Sequence, residues 1–189
     1  MGKPGMAMPG KGGKESESRK GRYVSVVTSG TDMRSRNVHI RQMAHKYPNV
    51  VIHCVFSTET RANLIPKELL PRLWKYFVGI GRNHGIPVLA AGGIPNHVHL
   101  LIALPSDTAP AKAVQVLKAN SSRWIRQHGI AFAWQEGYGA FSVSSSNKAT
   151  VVDYIEHQVE HHRGRSYETE FEAMIRKAGM RFNAEEAFG

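Results

Sequence analysis

The sequence predicts an α+β fold: a ferredoxin-like antiparallel sheet with helices packed on it. Two observations carry that expectation. Short apolar runs rich in β-branched residues alternate with segments of helical period in the order β-α-β-β-α-β-α. Gly, Pro and Asn residues punctuate the boundaries between them.

Asn49 to Ser57 (NVVIHCVFS) suits a buried strand. Pro66 opens a helix running to about His84, with Leu69, Leu73, Phe77 and Ile80 at helical spacing and Gly85 as its stop. Two strands follow, Pro87 to Ala91 and His97 to Leu104, joined by Gly92, Gly93, Pro95 and Asn96 as turn residues. Ala109 to Gln127 forms a second helix, with Val114, Leu117, Ser121 and Trp124 along one side. Tyr138 to Ser144 reads as a strand entered through Gly137. A third helix spans Ala149 to His162, and a fourth runs from Thr169 to Ala178 on a stripe of Phe171, Met174, Ile175 and Ala178.

At 189 residues and 41% hydrophobic content the chain can bury an apolar core. Its apolar stretches, such as Val98 to Leu104, fall short of the ~20 residues a membrane helix needs. The N-terminal residues lack the apolar core of a secretory signal. One cysteine, Cys54, excludes an intramolecular disulfide and a CxxC zinc pattern, so a reducing cytoplasm is the expected setting. The net charge of +10 is uneven: residues 1–46 hold ten Lys/Arg against three acids, which leaves +3 for residues 47–189. Segment 1–46 is expected to be a basic, disordered extension able to add nonspecific phosphate affinity, and 47–189 the folded domain.

The sharpest local feature is His97-Val98-His99 inside an apolar strand. Residues two apart on a strand share a face, so both imidazoles emerge side by side, as half of a divalent metal site or as two sheet histidines held by ordinary hydrogen bonds. The second is Tyr154 in VVDYIEHQVEHH, with Gln158 one helical turn on. A tyrosine there is commonly a core aromatic, but Gln158, His161 and His162 make its surroundings polar. A phenol attacks phosphate to leave an ester that conserves the bond energy, so rejoining needs no nucleotide cofactor. With a pKa of ~10 it needs help, which a metal that polarises the phosphate supplies.

An H-hydrophobic-H strand followed some 55 residues later by Y-x-x-x-Q resembles the single-tyrosine HUH transposases of the smallest bacterial insertion sequences, including the REP-associated tyrosine transposases. The likeness runs in order through VVIHCVFSTETR, IPNHVHLLIALP, VLKANSSRWI, FAWQEGYGAFSVS, YIEHQVEHH and RSYETEFEAMIRKAGMRF. It implies that His97, His99 and Gln158 bind Mg²⁺ or Mn²⁺. Tyr154, on a C-terminal helix, would be the nucleophile that leaves a 5′-phosphotyrosine and a 3′-hydroxyl. It further implies a homodimer acting on single-stranded DNA beside hairpins, in cis or in trans. Asn96 stands where many relatives carry Asp and, not being a ligand, is expected to matter little. Tyr138 and Tyr167 lie outside any Y-x-x-x-Q frame.

Arg61, Lys118, Ser122, Arg123 and Gln135 are the candidate DNA contacts, with Ser57, Thr58 and Thr60 near the first of them. Trp124 continues an apolar stripe and reads as core. His161 and His162 are expected to support the ligands or meet a partner subunit. The rival readings are a domesticated or non-catalytic module that binds structured single strands, and a zinc-structural protein without nucleic acid.

Overall fold

The computed structural model describes residues 49–188, so the expected boundary after residue 46 and the basic segment before it lie outside the described residues. Four strands form one sheet: β1 (Val51–Ser57), β2 (Val88–Ile94), β3 (His97–Ala103) and β4 (Gly139–Ser142), in the order β2-β3-β1-β4. Every neighbouring pair is antiparallel. With α1 (Leu70–His84) between β1 and β2 and α2 (Pro110–Arg126) between β3 and β4, this is the ferredoxin-like arrangement.

The sheet is buried on both faces, which is why β1 and β3 are almost continuously apolar. On one face Ile52, Cys54, Phe56, Val98, Leu100 and Ile102 pack against Leu73, Phe77 and Ile80 of α1 and Val114, Leu117 and Ile125 of α2. Burial pushes the Cys54 thiol up to about 12, so it behaves as an inert apolar group. The other face carries Val51, Val55 and Leu101 and is covered by α3 (Lys148–Glu156) and α5 (Tyr167–Lys177). Gly85 closes α1 at φ 66°, as its sequence position predicts. Among the described residues no helix is long and apolar enough to cross a membrane.

Three expectations change. Gly92 and Gly93 belong to β2, opposite His99 and Val98, and the turn to β3 is only Pro95-Asn96. A Cβ on Gly92 would fall on the carbonyl oxygen of Ile155 and 2.9 Å from its carbon, so the glycine admits α3 to the sheet. The helix expected from Ala149 to His162 breaks at His157 (φ −101°, ψ 26°) into α3 and a short α4 (Gln158–His161). At the break the Tyr154 carbonyl accepts from the Gln158 side-chain amide at 3.3 Å. The helix expected from Thr169 begins at Tyr167 because Ser166 caps it, its hydroxyl accepting from the Thr169 N–H at 3.3 Å. A further short helix, α6 (Ala184–Phe188), packs Phe188 against Tyr167 and Phe171.

Candidate metal and nucleophile site

β3 turns His97 and His99 away from Val98 and Leu100, and both imidazoles are fully buried with ring centroids 5.0 Å apart. Nδ1 of His97 donates to Oδ1 of Asn96 at 2.8 Å, which leaves the lone pair on Nε2. Asn96 therefore fixes a tautomer, a larger part than the sequence predicts for it. Nδ1 of His99 meets Nε2 of His53, on β1, at 3.0 Å; with Nδ1 as donor, Nε2 of His99 keeps its lone pair too. Burial pulls His53 down to about 3, with His99 adding to the effect. It also pulls His97 down to about 4, against the influence of Glu170. Both are neutral near pH 7.

The cap at Ser166 places Glu170 in the first turn of α5, where the helix dipole favours a carboxylate. Glu170 is 2% exposed and stands at the centre of the site. Its Oε2 lies 2.9 Å from Nε2 of His162 and 3.3 Å from Nε2 of His97 and of His99. Its Oε1 accepts from the Tyr154 hydroxyl and, at 3.2 Å, from the Gln158 amide. Burial disfavours the charged carboxylate, yet the hydrogen bond from His162 leads the effects that outweigh it and hold the carboxyl well below its ordinary range. Burial and the bond to Glu170 both raise the Tyr154 phenol above its ordinary value. His162 is raised, its burial outweighed by the carboxylate.

Among the described residues, three buried side-chain atoms lack a hydrogen-bond partner: Nε2 of His97, Nε2 of His99 and Oε1 of Gln158. All three are atoms with lone pairs to give. Two imidazole lone pairs facing a carboxylate oxygen at 3.3 Å call for a cation among them. His97, His99, His162 and Glu170 place one ligand atom each within 4.8 Å of one another, and the group could hold a metal ion. A mixed imidazole and carboxylate set suits Mn²⁺ better than Mg²⁺, which prefers oxygen alone.

The structure thus brings together His97, His99, Tyr154 and Gln158, and draws His162 into the cluster rather than around it. His161 is exposed, its ring 4.8 Å from that of Tyr154. Glu170 and His53 were not foreseen. Tyr167 is buried with its ring 4.9 Å from His97, and Tyr138 is exposed ahead of β4.

The candidate DNA contacts are dispersed. Arg61 pairs with Glu168 at 3.2 Å, donates to the Phe188 carbonyl at 3.2 Å and lies over the Phe188 ring. Lys118, Ser122 and Gln135 line one cavity of about 390 Å³ with Trp134 and Tyr138, while Arg123 stands exposed on α2 outside that lining. The Lys118 ammonium donates to the carbonyls of Gln135, Glu136 and Gly137, and burial lowers its pKa. Ser57 donates to Oε1 of Gln135 at 2.7 Å, and Ser122 accepts from Arg126 at 3.0 Å. Trp124 stacks on Tyr76 at 4.8 Å between α2 and α1, as its stripe predicts. Lys118→Met is accordingly expected to lower stability by about 1–3 kcal/mol, because three carbonyls lose a charged donor. Chemical denaturation measures that loss, and an unchanged midpoint would show that the loop holds itself.

No curated protein matches the chain in sequence. Solved structures resemble it, among them the following two. A candidate transposase from Deinococcus radiodurans R1 is 24% identical over 61% of this chain and 94% of its own, with a TM-score of 0.47. A REP-associated tyrosine transposase bound to a REP hairpin is 16% identical over 62% of this chain and 72% of its own, also at 0.47. The family model described as IS200-like transposase matches residues 46–158, a span that contains His97, His99, Tyr154 and Gln158. By that match over more than half its length, the chain belongs to the IS200-like transposase family.

Proposed function

We propose that this transposase is a divalent-metal-dependent endonuclease and strand transferase that cuts single-stranded DNA beside hairpins through Tyr154, working as a homodimer. The observation that carries the reading is the meeting of the Tyr154 hydroxyl and the unpartnered Nε2 atoms of His97 and His99 at one buried carboxylate. The side chains proposed for the ion are His97, His99 and, by the family pattern, Gln158. When bound, Mg²⁺ or Mn²⁺ polarises the phosphate oxygens and orients the scissile bond.

The oxygen of Tyr154, oriented by its hydrogen bond to Glu170, attacks the phosphorus of a phosphodiester as its proton passes to water. The bond from phosphorus to the 3′-oxygen breaks, the 3′-oxygen takes up a proton, and a 5′-phosphotyrosine remains. Attack by a second 3′-hydroxyl reverses these events and joins the strands. A cleft of about 430 Å³ beside Tyr154 gives the strand room; Arg165 and Lys177 in its lining suit the phosphates, and Phe141 and Met174 suit an unpaired base.

The test is denaturing electrophoresis after incubating the protein and Mn²⁺ with end-labelled single strands from the flanks of its own gene. A labelled band at the mass of the protein, dependent on metal, is the expected result. Hairpin binding without any such band would replace the enzyme by a non-catalytic binding module. Deleting residues 1–46 is expected to weaken hairpin affinity and flatten its salt dependence, because seven net positive charges leave with the segment. The metal requirement should persist. Binding isotherms over a salt series check this, and an unchanged slope would show that the segment touches no phosphate.

A further inference from the structure

Resting on the single-strand reading above, we propose that the cleft beside Tyr154 holds a phosphate of the bound strand, and that His53 is the side chain that donates to it. On β1 the His53 ring lies beside both His99 and Tyr154, with centroids 5.2 and 6.2 Å away. Its Nε2 meets Nδ1 of His99 at 3.0 Å, and it must accept there if Nε2 of His99 is to keep a lone pair. Burial keeps His53 neutral, so the ring carries one proton, and that proton stands on Nδ1. Among the described residues nothing accepts from this N–H. Nor is it sealed, as the unpartnered Nε2 atoms of His97 and His99 are; the ring lines the cleft of about 430 Å³. A largely buried donor without an acceptor in the fold is left to find one in the ligand.

Phosphate is the acceptor that the surroundings favour. Arg165 and Lys177 line the same cleft and bring positive charge to it. Glu170, the acid in that lining, is already engaged by His162, Tyr154 and Gln158. A phosphate oxygen accepting from Nδ1 of His53 and a cation on Nε2 of His99 demand the same tautomers in the two rings. Strand and ion therefore favour one another through His53, without any movement of the backbone.

The experiment measures binding of a short oligothymidylate, and separately of Mn²⁺, by the full chain, with the wild type beside His53→Gln and His53→Asn. A glutamine amide reaches the place of Nε2 and an asparagine amide that of Nδ1, so the two variants separate the two nitrogens. With metal chelated, His53→Gln should bind the strand roughly 10–100-fold more weakly, the scale of a hydrogen bond to a charged group, and His53→Asn should stay near the wild type. A strand of neutral methylphosphonates should bind the wild type and His53→Gln alike. Mn²⁺ affinity should follow the opposite order, with His53→Asn losing the roughly 10–100-fold typical of a residue that supports a ligand. Unchanged strand affinity in His53→Gln would overturn the assignment, and so would equal losses in both variants, the pattern of a purely structural histidine. Nitrogen NMR of the wild type is independent of how either variant folds. The Nδ1 signal of His53 should move with the phosphodiester strand and not with the methylphosphonate. An unmoved signal would overturn the site, and movement with both strands would give the N–H to a base instead. A wild type that binds no strand, with or without Mn²⁺, would remove the single-strand reading itself.

Discussion

Tyr154→Phe is expected to abolish the covalent protein–DNA band and to lower strand cleavage by on the order of 10³-fold or more, the scale at which a covalent nucleophile is lost. Hairpin affinity should stay within about twofold, since only one oxygen leaves and the ring keeps its place beside His99 and His161. The fold should lose no more than about 1.5 kcal/mol, the net value of one hydrogen bond to Glu170. Electrophoresis of labelled hairpin strands with the two proteins side by side decides it. Cleavage at the wild-type rate would move the nucleophile elsewhere. Tyr138 would then be the first candidate, because its ring is exposed while that of Tyr167 is 6% exposed.

Gly92→Ala is expected to be nearly as damaging although it removes no chemical group. The new methyl would collide with the Ile155 carbonyl, which directly follows Tyr154 in α3. Backbone against backbone leaves no flexible side chain to give way, so α3 must lift from the sheet. Such overpacking costs roughly 1–3 kcal/mol of stability. A shift of about 1 Å at Tyr154, the proposed nucleophile, costs on the order of 10²-fold in rate. The test is cleavage kinetics together with thermal unfolding. Wild-type cleavage would show that α3 slides without moving Tyr154. A matched loss in Gly79→Ala, where a Cβ meets nothing, would show that the effect is not specific to this contact.

The sheet and its site face were readable because β3 obeys a period of two: Val98, Leu100 and Ile102 declare the core, so His97 and His99 declare the opposite face. Tyr154 and Gln158 were readable through their spacing and their likeness to a known pattern. Glu170 was not, since it stands in an amphipathic stripe that Phe171, Met174 and Ile175 already explain. The signal was present all the same: with Tyr167 and Met174 flanking it at helical spacing, a carboxylate occupies an inward position and demands a cationic or hydrogen-bonding partner. His53 hid likewise in an apolar strand. The break at His157 rests on a side-chain bond to the Tyr154 carbonyl, which helical periodicity does not report. Basic residues misled in the other direction: Lys118 and Arg61 look free in sequence, but three carbonyls and an acid with an aromatic ring engage them.

The two-residue connection Pro95-Asn96 has a consequence beyond its size. It pins how far β3 is threaded past β2, and every second residue of β3 packs in the helix-covered core while His97 and His99 between them face Glu170. Adding or removing a single residue there would exchange the two sets, driving the imidazoles into the hydrocarbon layer and turning Val98 and Leu100 toward Glu170. No combination of side-chain substitutions elsewhere would restore the site, because the error lies in chain length and not in composition. The number of residues between Ile94 and His97 is thus as much a part of the candidate site as the histidines themselves.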